Sequence, residues 1–258
     1  MGKYAIGLDF GTLSCRGVLV DVSNGAELAS EVFEYPHGVM SDSLPTGERL
    51  PSDWAIEHPQ DYLDALRIVI PAIMKKSRAK REAVVGLGLD TTGCSPLPVL
   101  ADGTPLCFLE AFRREPHAYI KLWKHHAAQK YADRLNAVAA ERGEKWLARY
   151  GGKISSEWFF PKLWQVLEEA PAVYDAMAHF IEVNDWLTWQ LTGTVVKNAC
   201  YAGYKAMWNR REGYPGPDFF EALDPRLKNV VAEKVSLPVV PQGALVGGVT
   251  VEMAEALG

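Results

Sequence analysis

No stretch of the 258 residues stays apolar for the length a membrane span requires, so nothing here predicts passage through a bilayer. Basic charge is in short supply as well. The 27 Lys and Arg stand against 32 Asp and Glu, a net charge of −5. A general nucleic-acid binder has the opposite balance, and that class of partner is excluded. Cysteine is sparse and scattered. Cys15, Cys94, Cys107 and Cys200 form no Cys-x-x-Cys pair, which argues against a zinc ribbon or a disulfide scaffold. They read instead as free thiols, buried or lining a site, in a cytoplasmic protein. No basic, apolar leader precedes the first patterned segment. Low-complexity tracts and internal repeats are absent too.

What is present begins at once. Tyr4, Ile6, Leu8 and Phe10 alternate with Ala5, Gly7 and Asp9, the period of a strand. Cys15 to Asp21 reads as the returning strand. Between them Gly11-Thr-Leu-Ser14 supplies backbone freedom, two hydroxyls and exposed N–H groups, and such a turn makes a nest suited to phosphate oxygens. Asp9 at the strand end suits Mg²⁺, a hard cation that takes carboxylate and water oxygens. The plainer alternative is a hairpin whose Asp caps its own turn.

Asn24-Gly25 is a hairpin signal, and Glu27 to Tyr35 gives a third antiparallel strand. His37 to Ala55 reads as a loop. Pro59 opens a helix with an apolar stripe of Tyr62, Leu63, Leu66, Val69, Ile70 and Ile73, kinked at Pro71. Val84 to Asp90 is an apolar run with glycines, expected as a central strand buried on both faces. Ligands of open α/β sheets gather at such strand ends, which here carry Thr91-Thr-Gly-Cys-Ser95. The spacing predicts a hairpin around Asp102-Gly103, helices over 118–129 and 133–142, a strand from His179 to Val183, and a helix from Trp186 to Leu191 closed by Gly193. His125 and His126 have no acid or Cys at metal-ligand spacing and are expected as solvated helix residues.

Asp9-Phe10-Gly11-Thr12 resembles the first phosphate motif of the actin, hexokinase and sugar-kinase superfamily. Pro161-Lys-Leu-Trp164 and Asp185-Trp-Leu-Thr-Trp-Gln-Leu-Thr-Gly193 extend the likeness to the whole chain. They resemble the N-terminal domain of the FGGY carbohydrate kinases. Tyr150-Gly-Gly-Lys-Ile-Ser-Ser-Glu-Trp158 and Ala202-Gly-Tyr-Lys-Ala-Met-Trp208 are most similar to the ribulokinase branch. The resemblance implies an α/β, ribonuclease-H-like domain: a mixed five-stranded sheet, flanking helices and an inserted helical region. It implies that residues 1–258 are one sugar-binding lobe, with the nucleotide lobe and the catalytic base outside this chain. The implied reaction is phosphorylation of a ketopentose, L-ribulose to L-ribulose 5-phosphate, with ATP and Mg²⁺. The lobe alone is expected to be inactive, and a homodimer is compatible with the reading. The alternatives are another sugar kinase of the family, such as a xylulokinase, or a sugar- or phosphate-binding module without turnover.

The resemblance also implies roles. Asp9 is the metal and catalytic residue. Gly11, Thr12, Ser14 and Arg16 bind phosphate, although Ser14 also suits a turn hydroxyl and Arg16 a surface ion pair. Gly93 lets the sugar approach the backbone closely, with Cys94 as wall beside it. Lys205 donates to sugar hydroxyls, and Trp123 packs on the sugar's carbon face or in the core. Asp90 is a further acid near the metal. The position of His125 carries an acid in many members, which leaves its role here open.

Overall fold

The computed structural model describes residues 2–258. Strands β1 (Tyr4–Phe10), β2 (Ser14–Asp21) and β3 (Glu27–Glu34) form an antiparallel meander. Period-two patterning sorts their side chains. Ile6, Leu8 and Phe10 are buried with Cys15 and Leu19, while Asp9 and Arg16 are exposed on the other face. Gly25 turns the chain between β2 and β3 at φ +74°, and its N–H donates to Asp21 O at 2.8 Å.

The short strand β4 (Ile56–Glu57) leads into helix α1 (Pro59–Ser77), which covers the buried face of the sheet. His58 caps it, Nδ1 accepting from Gln60 N at 3.1 Å, and Pro59 fills the first turn where its missing N–H costs nothing. Tyr62, Leu66, Val69 and Ile73 are all but fully buried. Contact is close at Gly17, where a Cβ would lie 2.2 Å from Val69 Cγ1. The helix runs through Pro71 and stops at Arg78, which takes the left-handed conformation at φ +57°.

β5 (Val84–Thr91) returns parallel to β1, giving the order β3-β2-β1-β5. Here two expectations are corrected. The sheet has four strands rather than five, and β5 is its edge rather than a strand buried on both faces. Val85 is 55 % exposed, and a Cβ at Gly86 or Gly88 would meet nothing within 4 Å. The reason lies in the next strand along the chain. β6 (Pro96–Val99) turns away from β5 and pairs antiparallel with β8 (His179–Glu182).

Residues 118–129 also depart from expectation. In place of a helix they form β7 (Ile120–Lys121), paired antiparallel with β4, and a run of turns. Their backbone bonds go to the preceding loop instead of to the fourth residue back: Leu122 N donates to Ala55 O, and His126 N and Ala127 N donate to Asp53 O. Helices α2 (Gln129–Glu141), α3 (Phe159–Glu169) and α4 (Pro171–Ala176) then pack in a second core with Trp146 and Phe180. α5 (Val183–Thr192) returns to the sheet, burying Trp186, Leu187 and Leu191 in the first core. β9 (Lys197–Asn198) leads straight into α6 (Ala199–Lys205). After α7 (Pro217–Leu223), β10 (Val239–Val240) runs parallel to β9, and α8 (Val251–Ala256) closes the chain. No helix among the described residues is long and apolar enough to cross a membrane.

Candidate active site

Strand register assembles the first part of the site. Asp9 lies directly across from Arg16 on β2 and from Asp90 on β5. Directly opposed residues on one face are near neighbours, so Arg16, Asp9 and Asp90 form a row across three strands. Below them lie Val18, Gly7 and Gly88, and the two glycines leave a shallow groove of about 370 Å³. The turn after Asp9 is closed by Gly11 N donating to Ser14 O at 2.9 Å. Ser14 is thus the first residue of β2, while Thr12 stands free of the ladder.

The second part comes from the turn after β5 and from α6. Lys205 Nζ donates to Gly93 O at 3.3 Å and lies 3.8 Å from Glu157 Oε2. The structure therefore unites Gly93, Lys205 and Glu157 across more than a hundred residues of sequence. Tyr201 OH sits between Asp90 Oδ1 at 3.1 Å and Thr91 O at 2.8 Å, and accepts from Thr91 N at 3.1 Å. Burial raises the Tyr201 phenol above its ordinary range, so it stays protonated. A pocket of about 180 Å³ lies between Asp90, Gly93, Cys200, Tyr201, Tyr204 and Gln242. Asp90 borders both this pocket and the groove, so the two adjoin.

At Gly93 the protein itself does not demand glycine. An added Cβ would make only ordinary contact, 3.6 Å, with the Tyr204 ring. The strained residue is its neighbour: Cys94 holds φ +72° and is 2 % exposed. Burial drives its thiol far above the ordinary range, which removes it as a nucleophile. Of the remaining cysteines, Cys15 and Cys107 are buried and Cys200 is exposed.

Trp123 is 36 % exposed, and its Nε1–H donates to Thr12 Oγ1 at 3.1 Å. His125 corrects the sequence reading. It is fully buried, Nε2 lying 2.9 Å from Gln165 Oε1 and Nδ1 accepting from Ala55 N at 3.3 Å. Burial and the nearby Lys121 and Lys162 hold it neutral, well below the usual imidazole range. His126 is exposed, 3.7 Å from Glu157. Sequence reasoning gave no role to Glu157, which lies within a stretch that carried the resemblance, or to Tyr201, which immediately precedes another.

No cluster of three or more His, Cys, Asp or Glu able to hold a metal occurs among the described residues. The row offers two carboxylates, Asp9 and Asp90. That donor set fits Mg²⁺, which keeps several waters and commonly takes one or two carboxylates beside phosphate oxygens.

The α/β fold thus sets an acid-ended strand and a glycine turn beside a small pocket walled by Gly93, Tyr201 and Tyr204, an arrangement that suits a phosphate beside a small acceptor. Residues 4–258 match the FGGY family of carbohydrate kinases, N-terminal domain, and the chain belongs to that family. It is 51 % identical to a ribulokinase of Halalkalibacterium halodurans over 257 residues, covering 99 % of this chain and 46 % of that protein. It is 48 % identical to a ribulokinase of Mycolicibacterium smegmatis, covering 98 % and 45 %. The chain thus spans about half the length of the curated relatives it matches. Among solved structures, a gluconate kinase from Lactobacillus acidophilus superposes with a TM-score of 0.74 at 19 % identity, covering all of this chain and 46 % of that one. A glycerol kinase from Plasmodium falciparum, solved with ADP, gives 0.72 at 13 %, covering 98 % and 46 %. At those identities the likeness is one of fold.

Proposed function

We propose that this chain is the sugar-binding lobe of a kinase that phosphorylates a ketopentose, L-ribulose to L-ribulose 5-phosphate, with ATP and Mg²⁺. The observation that carries the reading is the shared wall of the two cavities: Asp90 borders both the Asp9–Arg16 groove and the Gly93 pocket. A phosphate donor held over the groove would lie next to an acceptor held at Gly93. The similarity to ribulokinases over 98–99 % of the chain supports the choice of sugar.

In this reading Asp9 holds the cation. Gly11 shapes the phosphate turn through its N–H to Ser14 O, and Thr12 and Ser14, with Arg16 beside them, steady the γ-phosphate with hydroxyls and a guanidinium. Lys205 donates to sugar hydroxyls while it braces Gly93 O. Trp123 lies along the sugar's carbon face, and Cys94 backs the turn from inside. Mg²⁺, when bound with ATP, offsets the charge on the phosphoryl oxygens in transfer. The general base and the adenine pocket belong to residues outside this chain.

The test is a chimera joining residues 1–258 to the C-terminal remainder of the Halalkalibacterium halodurans ribulokinase. It is assayed for phosphate-ester formation with ATP, Mg²⁺ and a panel of ketopentoses. L-ribulose should be the best acceptor. A preference for D-xylulose would move the assignment to another member of the family, and a folded chimera without turnover would sink it. A second reading, binding without turnover, is favoured for the isolated chain by its spanning only about half of its relatives. The chain alone should therefore form almost no product under the same conditions, because half a cleft cannot align the two reactants or exclude water.

A further inference from the structure

Lys162, on the first turns of α3, is fully buried. A lysine rarely is without a paired charge, and no carboxylate lies within 4.0 Å of it among the described residues. Its ammonium is satisfied by backbone instead. Nζ donates to Cys94 O at 2.8 Å, Leu122 O at 2.8 Å and Lys121 O at 3.3 Å. Three donors meet three carbonyls, so the head group has no capacity left over. Burial lowers its affinity for the proton, and the nearby Cys94, Glu182 and Glu157 oppose that loss.

The carbonyls it selects are informative. Cys94 O follows Gly93 in the chain, and Leu122 O precedes Trp123. One ammonium therefore ties the turn that carries Gly93 to the segment that carries Trp123. The turn it pins is strained, with Cys94 at φ +72°. Its other side is also held from within, since Ser95 N donates to the buried Glu182 Oε2 at 2.9 Å. A strained conformation persists only where its surroundings over-determine it, and Lys162 with Glu182 does so here.

We propose that Lys162 is a positioning residue that sets the width of the sugar slot. By gripping Cys94 O and Leu122 O together it fixes Gly93 relative to Trp123, and so decides the size of the sugar accepted between them. This rests on the sugar-kinase reading for its substrate, while the grip itself is independent of it.

Two variants of the chimera test it. Lys162→Met keeps the length and loses the donors. It should raise KM for L-ribulose about tenfold or more, with KM for ATP within about twofold. Because that variant leaves three carbonyls dry and is at risk of not folding, Lys162→Arg carries the test on its own. Its charge and donors remain, but its wider head must spread the two carbonyls. The ratio of kcat/KM for ketohexoses over ketopentoses should rise. An unchanged ratio in folded Lys162→Arg, or a uniform loss in kcat with neither sugar nor ATP KM altered, overturns the proposal. If the unsubstituted chimera phosphorylates no ketopentose, the kinase reading fails separately. The grip is then read from a crystal structure of Lys162→Arg in the 258-residue chain. A wider Gly93-to-Trp123 separation supports it, and an unchanged one overturns it.

Discussion

The indole N–H of Trp123 donates to Thr12 Oγ1 at 3.1 Å. One partner stands on the wall proposed to face the sugar, the other on the turn proposed to face phosphate. The two are 111 residues apart in sequence, and the bond makes them one mechanical unit. Trp123→Phe keeps an aromatic face and removes the donor. A neutral hydrogen bond contributes about 0.5–1.5 kcal/mol. In the chimera, KM for ATP should therefore rise about two- to tenfold along with that for L-ribulose. A change in the sugar KM alone would show that the bond does not link the two sites.

Asp9 stands between Arg16 and Asp90 in strand register. Asp9→Asn keeps the shape and removes the charge. Its effect should fall mainly on kcat, by about a hundredfold or more, because a cation's neutralising role grows as charge develops on the transferring group. KM for L-ribulose should move much less. Steady-state kinetics over a range of Mg²⁺ concentrations would decide it: wild-type turnover in Asp9→Asn ends its assignment as the metal residue.

Lys205 braces the Gly93 carbonyl and has Glu157 within ion-pair reach. Lys205→Ala removes a charge-assisted donor, worth about 1.5–3 kcal/mol. L-ribulose binding should weaken by about tenfold to more than a hundredfold, with ATP binding less affected. Isothermal titration with each ligand separately distinguishes this from a general loss of structure, which would weaken both.

The parts of the fold that are legible in the sequence are those fixed by near neighbours along the chain. The alternation of residues 4–10 and the Gly11–Ser14 turn determine the β1–β2 pairing, and with it the Asp9–Arg16 juxtaposition. The edge position of β5 is not legible, because an apolar run with glycines looks the same whether or not a further strand pairs with it. The loss of the helix over 118–129 depends on carbonyls at Asp53 and Ala55 that no local pattern reveals. Burial of Lys162 and His125 is equally tertiary, since each is satisfied by partners 40 or more residues away. Lys205 is found through resemblance alone; its contact with Gly93 spans 112 residues.

Glu57 gives the structure a pH dependence that is independent of ligands. It is 1 % exposed on β4, and its Oε2 accepts from Tyr62 OH at 2.7 Å, while Oε1 has no protein partner. Burial is the largest influence and pushes the carboxyl up to about 8. The Tyr62 hydroxyl opposes that shift, the Asp61 charge adds to it, and Lys124 and Lys162 draw it back. The folded protein therefore keeps this proton at pH 7, whereas the unfolded chain releases it near the ordinary value of 4.5. Between those two values the unfolded state binds fewer protons, so stability falls as pH rises. The contribution is complete below about 4.5 and lost by the time pH has passed about 8. At about 1.4 kcal/mol per unit, the whole span is of order 4–5 kcal/mol. Glu57→Gln keeps an acceptor for Tyr62 and cannot ionise. Its stability should lie close to that of the unsubstituted chain at about pH 5 and exceed it by a few kcal/mol at about pH 8.5. Other buried groups titrate in this range, among them Asp185, raised to about 7, and Lys121, lowered to about 7. They are common to both proteins and cancel in the difference. Urea denaturation of the pair at half-unit steps from about pH 5 to about 8.5 supplies that difference, and a constant offset across the range would mean that Glu57 is already ionised in the folded chain.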